Sequence, residues 1–297
     1  MDDWKPIAEQ LKYTDCLSWT KVYETMQPFF PDLNSKQVEE KVRGYLRTTD
    51  KYKAPKMNYK GNKKFKYNYN HTMHLYIIAD AHNGAWGFDE KGFKVRISEI
   101  EKDPYAIVII LGDLIDNATL GSKGNVFSQK RTPQQQKESI IEMLYPIREK
   151  IIFVCAGNHC ERTYKQTGSD IMYDICMGLG VLDKYNPVCG YIKISIGKFI
   201  YNIYATHNLG RSESKLKLMA KSFTGIDLFV AGHIHTPKHL TITQKEYGGQ
   251  QNDSHVVIQG AWLKDENYAV SAAYEPCSTM QYNIILRGDR KKLEITT

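Results

Sequence analysis

Five times between residues 75 and 235 this chain runs through a short apolar, β-prone stretch that stops abruptly at Asp, Asn or His. Residues 75–79 lead into Asp80-Ala81-His82, residues 106–111 into Gly112-Asp113-Leu114-Ile115-Asp116, and residues 151–155 into Gly157-Asn158-His159. Residues 199–206 stop at His207, and residues 228–231 at Gly232-His233-Ile234-His235. Short apolar runs bounded by glycine and polar residues read as buried strands. Polar groups at the ends of several buried strands meet only where the strands share a sheet edge, which is where α/β folds place their chemistry. The pattern therefore predicts an α/β domain with a polar site at its strand ends.

The residue types at those ends favour metal binding. Asp80 and His82, like His233 and His235, stand two apart, so strand geometry would point both side chains of each pair the same way. Carboxylate and imidazole together suit Mn²⁺, Fe²⁺ or Zn²⁺ better than Ca²⁺. Asp113 offers two oxygens that two ions can share, and Asn158 a neutral amide oxygen. His71, His74, His239 and His255 lack partners at ligand spacing and read as structural or exposed.

Residues 1–50 read as a separate helical module. Segments 4–11, 18–30 and 35–45 carry apolar residues at helical spacing, Pro31 breaks the second, and Asn34 with Gln37 resembles a capping box for the third. With a basic end at Arg43, Arg47, Lys51 and Lys53, the module is either helix-turn-helix-like and DNA-binding or a small bundle for oligomer or partner contacts. Residues 51–71 read as a basic linker in which lysines alternate with tyrosines, a composition able to follow a phosphate backbone and stack on bases. Residues 72–297 read as the β/α domain, with a helix from Thr132-Pro133 to about Lys150, a hairpin of 191–196 and 199–206 about Gly197-Lys198, and further strands at 256–259 and 281–286.

The net charge of +7 favours an anionic partner, nucleic acid first among them. Six cysteines without CxxC or zinc-finger spacing read as free thiols of a reducing cytoplasm. The acidic start and the lack of a long apolar run point to a cytoplasmic protein without a membrane segment.

The five motifs, in this order, resemble the calcineurin-like metallophosphoesterase superfamily over residues 73–290. The resemblance implies a four-layer αββα sandwich and a two-metal site. Asp80, His82, Asp113 and His235 would hold one ion, and Asp113, Asn158, His207 and His233 the other, with Asp113 shared. The ions would be two divalent cations, Mn²⁺ first, with Fe²⁺, Zn²⁺ or Ni²⁺ as alternatives. They would clamp the phosphoryl oxygens and activate a water. His159 would act as general acid, and Asp116 would orient it.

Departures from family patterns narrow the substrate. The superfamily's protein phosphatases follow the second motif with Arg-Gly, whereas Asn117-Ala118 stands here. Cys160 follows Asn158-His159 where relatives carry an acidic residue, and Asn208 follows His207 where many carry glycine. Basic residues follow the motifs: Lys130 and Arg131 after the second, Arg162 after the third and Arg211 after the fourth, all expected at a substrate-binding rim. The resulting expectation is a phosphodiesterase or nuclease acting on DNA, similar to the DNA-repair exonuclease branch. The alternatives are a small-molecule phosphoesterase that takes a small nucleotide such as a cyclic nucleotide, and a non-catalytic nucleic-acid-binding scaffold. Related nucleases often dimerise, so a homo-oligomer is open.

Overall fold

The computed structural model describes residues 4–14, 18–48, 63–119, 129–210, 212–245, 251–264 and 277–297. The chain forms two compact units, Met1–Pro55 and Lys56–Thr297. In the first, α1 (Trp4–Glu9) runs on into a π-helical turn (Gln10–Thr14), and α2 (Trp19–Met26) is capped by Ser18 Oγ. A 3₁₀ turn follows at Gln27–Phe29, and then α3 (Ser35–Thr48). The capping box at the start of α3 is formed: the Asn34 N–H donates to Gln37 Oε1 and the Gln37 N–H to Asn34 Oδ1, both at 3.0 Å. The helices enclose a core of their own, Trp4, Ala8, Val22, Met26, Phe30, Val38, Val42 and Leu46. Arg43 pairs with Glu39 on α3, while Lys51, Lys53 and the side chain of Arg47 lie outside the described residues.

Among its described residues the second unit holds eleven strands in two sheets. One is ordered β11 (Leu293–Thr296), β10 (Asn283–Leu286), β2 (Met73–Ile78), β3 (Ala106–Ile110) and β4 (Ile151–Val154). The other is ordered β1 (Lys64–Tyr69), β5 (Cys189–Ile196), β6 (Phe199–Thr206), β7 (Leu228–Ala231), β9 (Gln251–Ile258) and β8 (Lys238–Lys245). Leu75, Ile77, Ile107 and Ile109 from one sheet pack with Ile192, Ile194, Ile203 and Val230 from the other. The strands β2 and β3 also send Ile78, Val108 and Ile110 to the opposite face, against Phe93 and Ile97 of α4 (Glu90–Lys102), Ile140 of α5 (Pro133–Leu144) and Ile175 of α7 (Ile171–Leu179). On the far side, Leu216 and Ala220 of α8 (Glu213–Ser222) cover Phe229, Val256 and Ile242. The result is the four-layer αββα sandwich.

Two readings of the sequence change here. Residues 64–69 are not linker but edge strand β1, paired in parallel with β5. Phe65 is buried while Lys64 and Lys66 are exposed, an alternation that the lysines hide in composition. The helix begun by Thr132 and Pro133 ends at Leu144, and a 3₁₀ turn, Tyr145–Lys150, carries the chain on. Pro146 lacks the N–H that a further α-helical turn requires. The hairpin stands as expected, with Gly197 at φ 55° in its turn.

Candidate metal centre

Both sheets aim their strand ends at one place. From one sheet, β2 leads into Asp80 and His82, β3 into Asp113, and β4 into Asn158, the first residue of α6 (Asn158–Thr167). From the other, β6 leads into His207 and β7 into His233 and His235. The i, i+2 pairs do not sit on extended strand as expected. Asp80, His82, Asp113, His233 and His235 all have positive φ, between 47° and 73°. This left-handed backbone costs a non-glycine residue about 1–2 kcal/mol and is held by neighbouring bonds. Asp80 N–H donates to Gly112 O (3.2 Å), His82 N–H to Asp113 O (3.0 Å), and Gly232 N–H to His207 O (3.0 Å).

The side chains form overlapping groups. Asp80, His82 and His235 make one, Asp113, His207 and His233 a second, and within each group the ligand atoms lie within 4.8 Å of one another. His82 Nε2 stands 3.1 Å from His235 Nε2. His207 Nε2 has Asp113 Oδ2 at 3.1 Å, Asn158 Oδ1 at 3.1 Å and His233 Nδ1 at 3.2 Å. A third group, His82, Asp113 and His159, joins the two. None of the three contains His71, His74, His239 or His255.

This donor set fits divalent cations. Asp80 is fully buried, and its Oδ2 accepts the His233 N–H at 2.7 Å. Its Oδ1 has no hydrogen-bond partner although His235 Nε2 is 3.4 Å away. A buried carboxylate oxygen left without a donor is costly unless a positive charge meets it. His207 Nδ1 faces Leu111 O at 2.5 Å, which turns Nε2 toward the group, the arrangement that orients metal-binding histidines. Burial pushes the Asp113 carboxyl up, but the positive potential of His207 and His159 outweighs it and holds the group well below the usual carboxylate range. In return, burial lowers His207 but the Asp113 carboxylate lifts it to about 9.

Beside these ligands lies His159. Its Nδ1 meets Asp116 O at 2.5 Å and Asp116 Oδ1 at 3.3 Å, and its Nε2 faces Arg162 Nη2 at 2.8 Å. Asp116 Oδ1 is also 3.3 Å from His82 Nδ1, so one carboxylate orients the expected general acid and an expected metal ligand together. Burial opposes ionisation of Asp116, yet hydrogen bonds from His159 and His82 hold its carboxyl far below the usual range.

Several site residues left no mark in the sequence spacing. Gln129 Nε2 donates to Asp116 Oδ2 at 2.6 Å. The fully buried Gln136 donates to Gln129 Oε1 (2.9 Å) and accepts the Asn117 N–H (2.9 Å). Asn117, also at positive φ, donates to His159 O (2.9 Å) and Thr163 Oγ1 (2.8 Å). Cys277 Sγ stands 3.6 Å from His235 Nδ1. Amides and thiols of this kind act through partners distant in sequence, and only the position of Asn117 directly after Asp116 hinted at one.

Of the expected rim, Arg162 lies at His159. Arg131 instead bridges Asn83 Oδ1 (2.8 Å) and Glu90 Oε2 (3.0 Å), and so braces the loop after His82. Lys130 donates to Trp86 O and covers its ring, while Arg211 lies outside the described residues. Cys160 is buried with its thiol pushed up by that burial, a packed rather than reactive sulfur. None of the five described cysteines forms a disulfide, and Cys16 lies outside the described residues. Among the described residues, no helix is long and apolar enough to cross a membrane.

None of the curated proteins shows a significant match to the chain. Among solved structures, Vacuolar Protein Sorting 29 from Cryptosporidium parvum is similar at 13% identity and a TM-score of 0.38, covering 76% of this chain and 98% of that one. The NAD nucleotidase of Haemophilus influenzae is similar at 10% identity and a TM-score of 0.40, covering 76% and 49%. The cold-active protein-tyrosine phosphatase of a psychrophilic Shewanella is similar at 10% and 0.34, covering 81% and 84%. The sequence model of the calcineurin-like phosphoesterases matches residues 73–237, more than half of the 297 residues and the whole span from Asp80 to His235. The chain therefore belongs to the calcineurin-like phosphoesterase family, metal-dependent hydrolases of phosphoesters that work through a two-metal centre.

Proposed function

We propose that the protein is a phosphodiesterase that cleaves DNA, with Mn²⁺ as its metal. The observation that carries this reading is the fate of the residue after Asp116. The superfamily's protein phosphatases carry an Arg-Gly pair after this motif, from which the chain departs. Here Asn117 is 1% exposed and turned inward, its amide engaged by His159 O and Thr163 Oγ1. A dianionic monoester finds no cation at that position. The guanidinium of Arg162, 2.8 Å from His159 Nε2, suits the single charge of a diester. The net charge of +7 and the lysine-rich residues 51–66 support a polyanionic substrate.

On this reading Asp80, His82, Asp113 and His235 hold one divalent ion and Asp113, Asn158, His207 and His233 the other. Such ions supply Lewis acidity to the phosphoryl oxygens and lower the pKa of water. The chain's own part centres on His159. With Nδ1 held by Asp116, Nε2 is the nitrogen presented to the leaving oxygen. Burial disfavours the imidazolium, but Asp113 and Asp116 raise the pKa of His159, and once Arg162 turns its N–H from Nε2 to the diester that nitrogen can carry the proton a general acid gives. Arg162 binds the diester at the same nitrogen and sets the leaving oxygen within its reach.

The test is Mn²⁺-dependent cleavage of end-labelled single- and double-stranded DNA beside a panel of cyclic nucleotides, with Asp113→Asn as control. Cleavage of DNA that disappears in the variant is the expected outcome. Intact DNA alongside a consumed cyclic nucleotide would overturn the nuclease reading in favour of a small-molecule phosphoesterase.

A further inference from the structure

The helix α8 covers only part of the six-stranded sheet. Its contacts fall mainly on β7, β9 and β8, and Phe223 at its C-terminal end reaches Tyr204 of β6, which leaves the outer face of β1, β5 and the rest of β6 without a helical layer among the described residues of the second unit. The registers place two rows of outward side chains there. Lys64 lies beside Tyr191, which faces Tyr204, and Lys66 lies beside Lys193, which faces Asn202. Lys64, Lys66 and Lys193 are exposed, while the inward neighbours Phe65, Ile192, Ile194 and Ile203 are buried.

Two features of this face ask for a ligand. Lys66 and Lys193 are cross-strand neighbours of like charge, which destabilises a sheet. None of the three lysines forms an ion pair with a carboxylate among the described residues. The nearby Asp227 is already matched by Lys291 at 2.8 Å. Lysine on an edge strand discourages stray pairing, but Lys193 is on β5, an interior strand, where that purpose does not apply. Next to the lysines, Tyr191 and Tyr204 stand ring to ring, 5.1 Å apart at 66°. Tyr204 precedes His207 by three residues, so the aromatic row lies at the metal-centre end of the sheet.

From this juxtaposition we infer that the outer face of β1, β5 and β6 binds single-stranded DNA and leads it to the metal centre. The lysines take phosphates, and the tyrosines offer rings on which bases stack, the pairing of features that sequence-tolerant single-strand binders use. The inference builds on the nuclease reading but makes a separate claim, because binding on this face does not need the metals.

The experiment measures binding of a fluorescein-labelled dT12 oligonucleotide to the full chain by anisotropy in EDTA, across a salt series. Turnover of bis-p-nitrophenyl phosphate with Mn²⁺ is followed in parallel. The Lys66→Glu/Lys193→Glu variant should bind at least about tenfold more weakly and show a log–log salt slope shallower by about 1.4, roughly 0.7 for each lost phosphate contact. Tyr204→Leu should weaken binding about fivefold or more with the slope unchanged. Since Tyr204 also packs on Phe223, Tyr191→Leu serves as a second aromatic variant. All should turn over the small diester like wild type. Wild-type affinity in the lysine variant would overturn the inference. Loss in the lysine variant but in neither tyrosine variant would overturn it too, since that marks a plain polyanion surface such as one for an acidic protein. Much tighter binding of rU12 than of dT12 would overturn the choice of DNA. If the variants behave as expected but wild type leaves DNA uncut, the nuclease reading alone fails. If DNA is cut and the variants bind normally, this inference alone fails.

Discussion

Left-handed backbone at Asp80, His82, Asp113, His233 and His235 makes the metal centre depend on close main-chain approach as much as on its side chains. Gly112, at φ 82°, and Gly157 permit that approach. A Cβ on Gly112 would stand 2.4 Å from Gly157 N, and one on Gly157 only 2.1 Å from Asp113 Oδ1. Gly157→Ala should therefore displace the shared carboxylate. The expected result is loss of at least one bound Mn²⁺ by metal analysis after dialysis, with an unchanged far-ultraviolet circular dichroism spectrum. Full metal content would show that Asp113 is free to move. His159→Ala should keep its metals and lose about 10²–10⁴-fold in kcat on DNA. Its loss should be smaller on bis-p-nitrophenyl phosphate, whose leaving group needs little protonation. Equal losses on both substrates would count against a general acid. At this scale the side chains that converge were legible, because Asp, Asn and His after apolar runs are conspicuous. The φ angles that make them converge were not, since no residue in Asp80-Ala81-His82 favours left-handed backbone as strongly as glycine does.

Among the elements, α5 reaches furthest into the site, through Gln136. The side chain and carbonyl of this residue tie together Gln129, Arg131, Asn117 and Asn83, so three loops lock onto one helix. Replacing it by Leu strands the buried Asn117 N–H, and each buried donor left unsatisfied costs about 1–3 kcal/mol. Gln136→Leu should lower the urea midpoint accordingly, and an unchanged midpoint would mean that the loops hold themselves. A second junction joins β2 to the end of α4, where Asp103 meets His74 Nδ1 at 2.7 Å and the Tyr76 hydroxyl at 2.9 Å. Burial pushes the Asp103 carboxyl up, but hydrogen bonds from His74, the Tyr105 N–H and Tyr76 bring it below its ordinary value. A lowered folded pKa gives stability that is present above the unfolded value, about 3.9, and is lost as the pH falls through the folded one. Between pH 7 and pH 3, Asp103→Asn should lose less stability than wild type in urea titrations, and identical slopes would refute the junction's role. Elements whose apolar residues form a clean run were legible, β2, β3, β4 and the β5–β6 hairpin among them. The strand β1 was not, because only one of its six residues is buried and its lysines mimic a solvated linker. Gln136 was equally hidden, since a buried amide inside a polar helix start has no pattern of its own.

In the molecule as a whole, the two units have separate cores, and every candidate ligand belongs to the second. Residues 56–297 expressed alone should bind two Mn²⁺ and hydrolyse bis-p-nitrophenyl phosphate at a rate within about twofold of the full chain. An insoluble or inactive fragment would show that the N-terminal helices belong to the fold of the catalytic unit. Within that unit the ligands are strung along 156 positions of sequence, and the first of them, Asp80, receives the backbone N–H of His233 near the last. A polypeptide emerging from the ribosome therefore carries an unfinished site for most of its synthesis. Until residues 233–235 are made, Asp80 lacks the His233 N–H as its donor, and on the proposed assignment each ion would lack a histidine. On the proposed ligand assignment, full metal loading would wait for chains translated past residue 235.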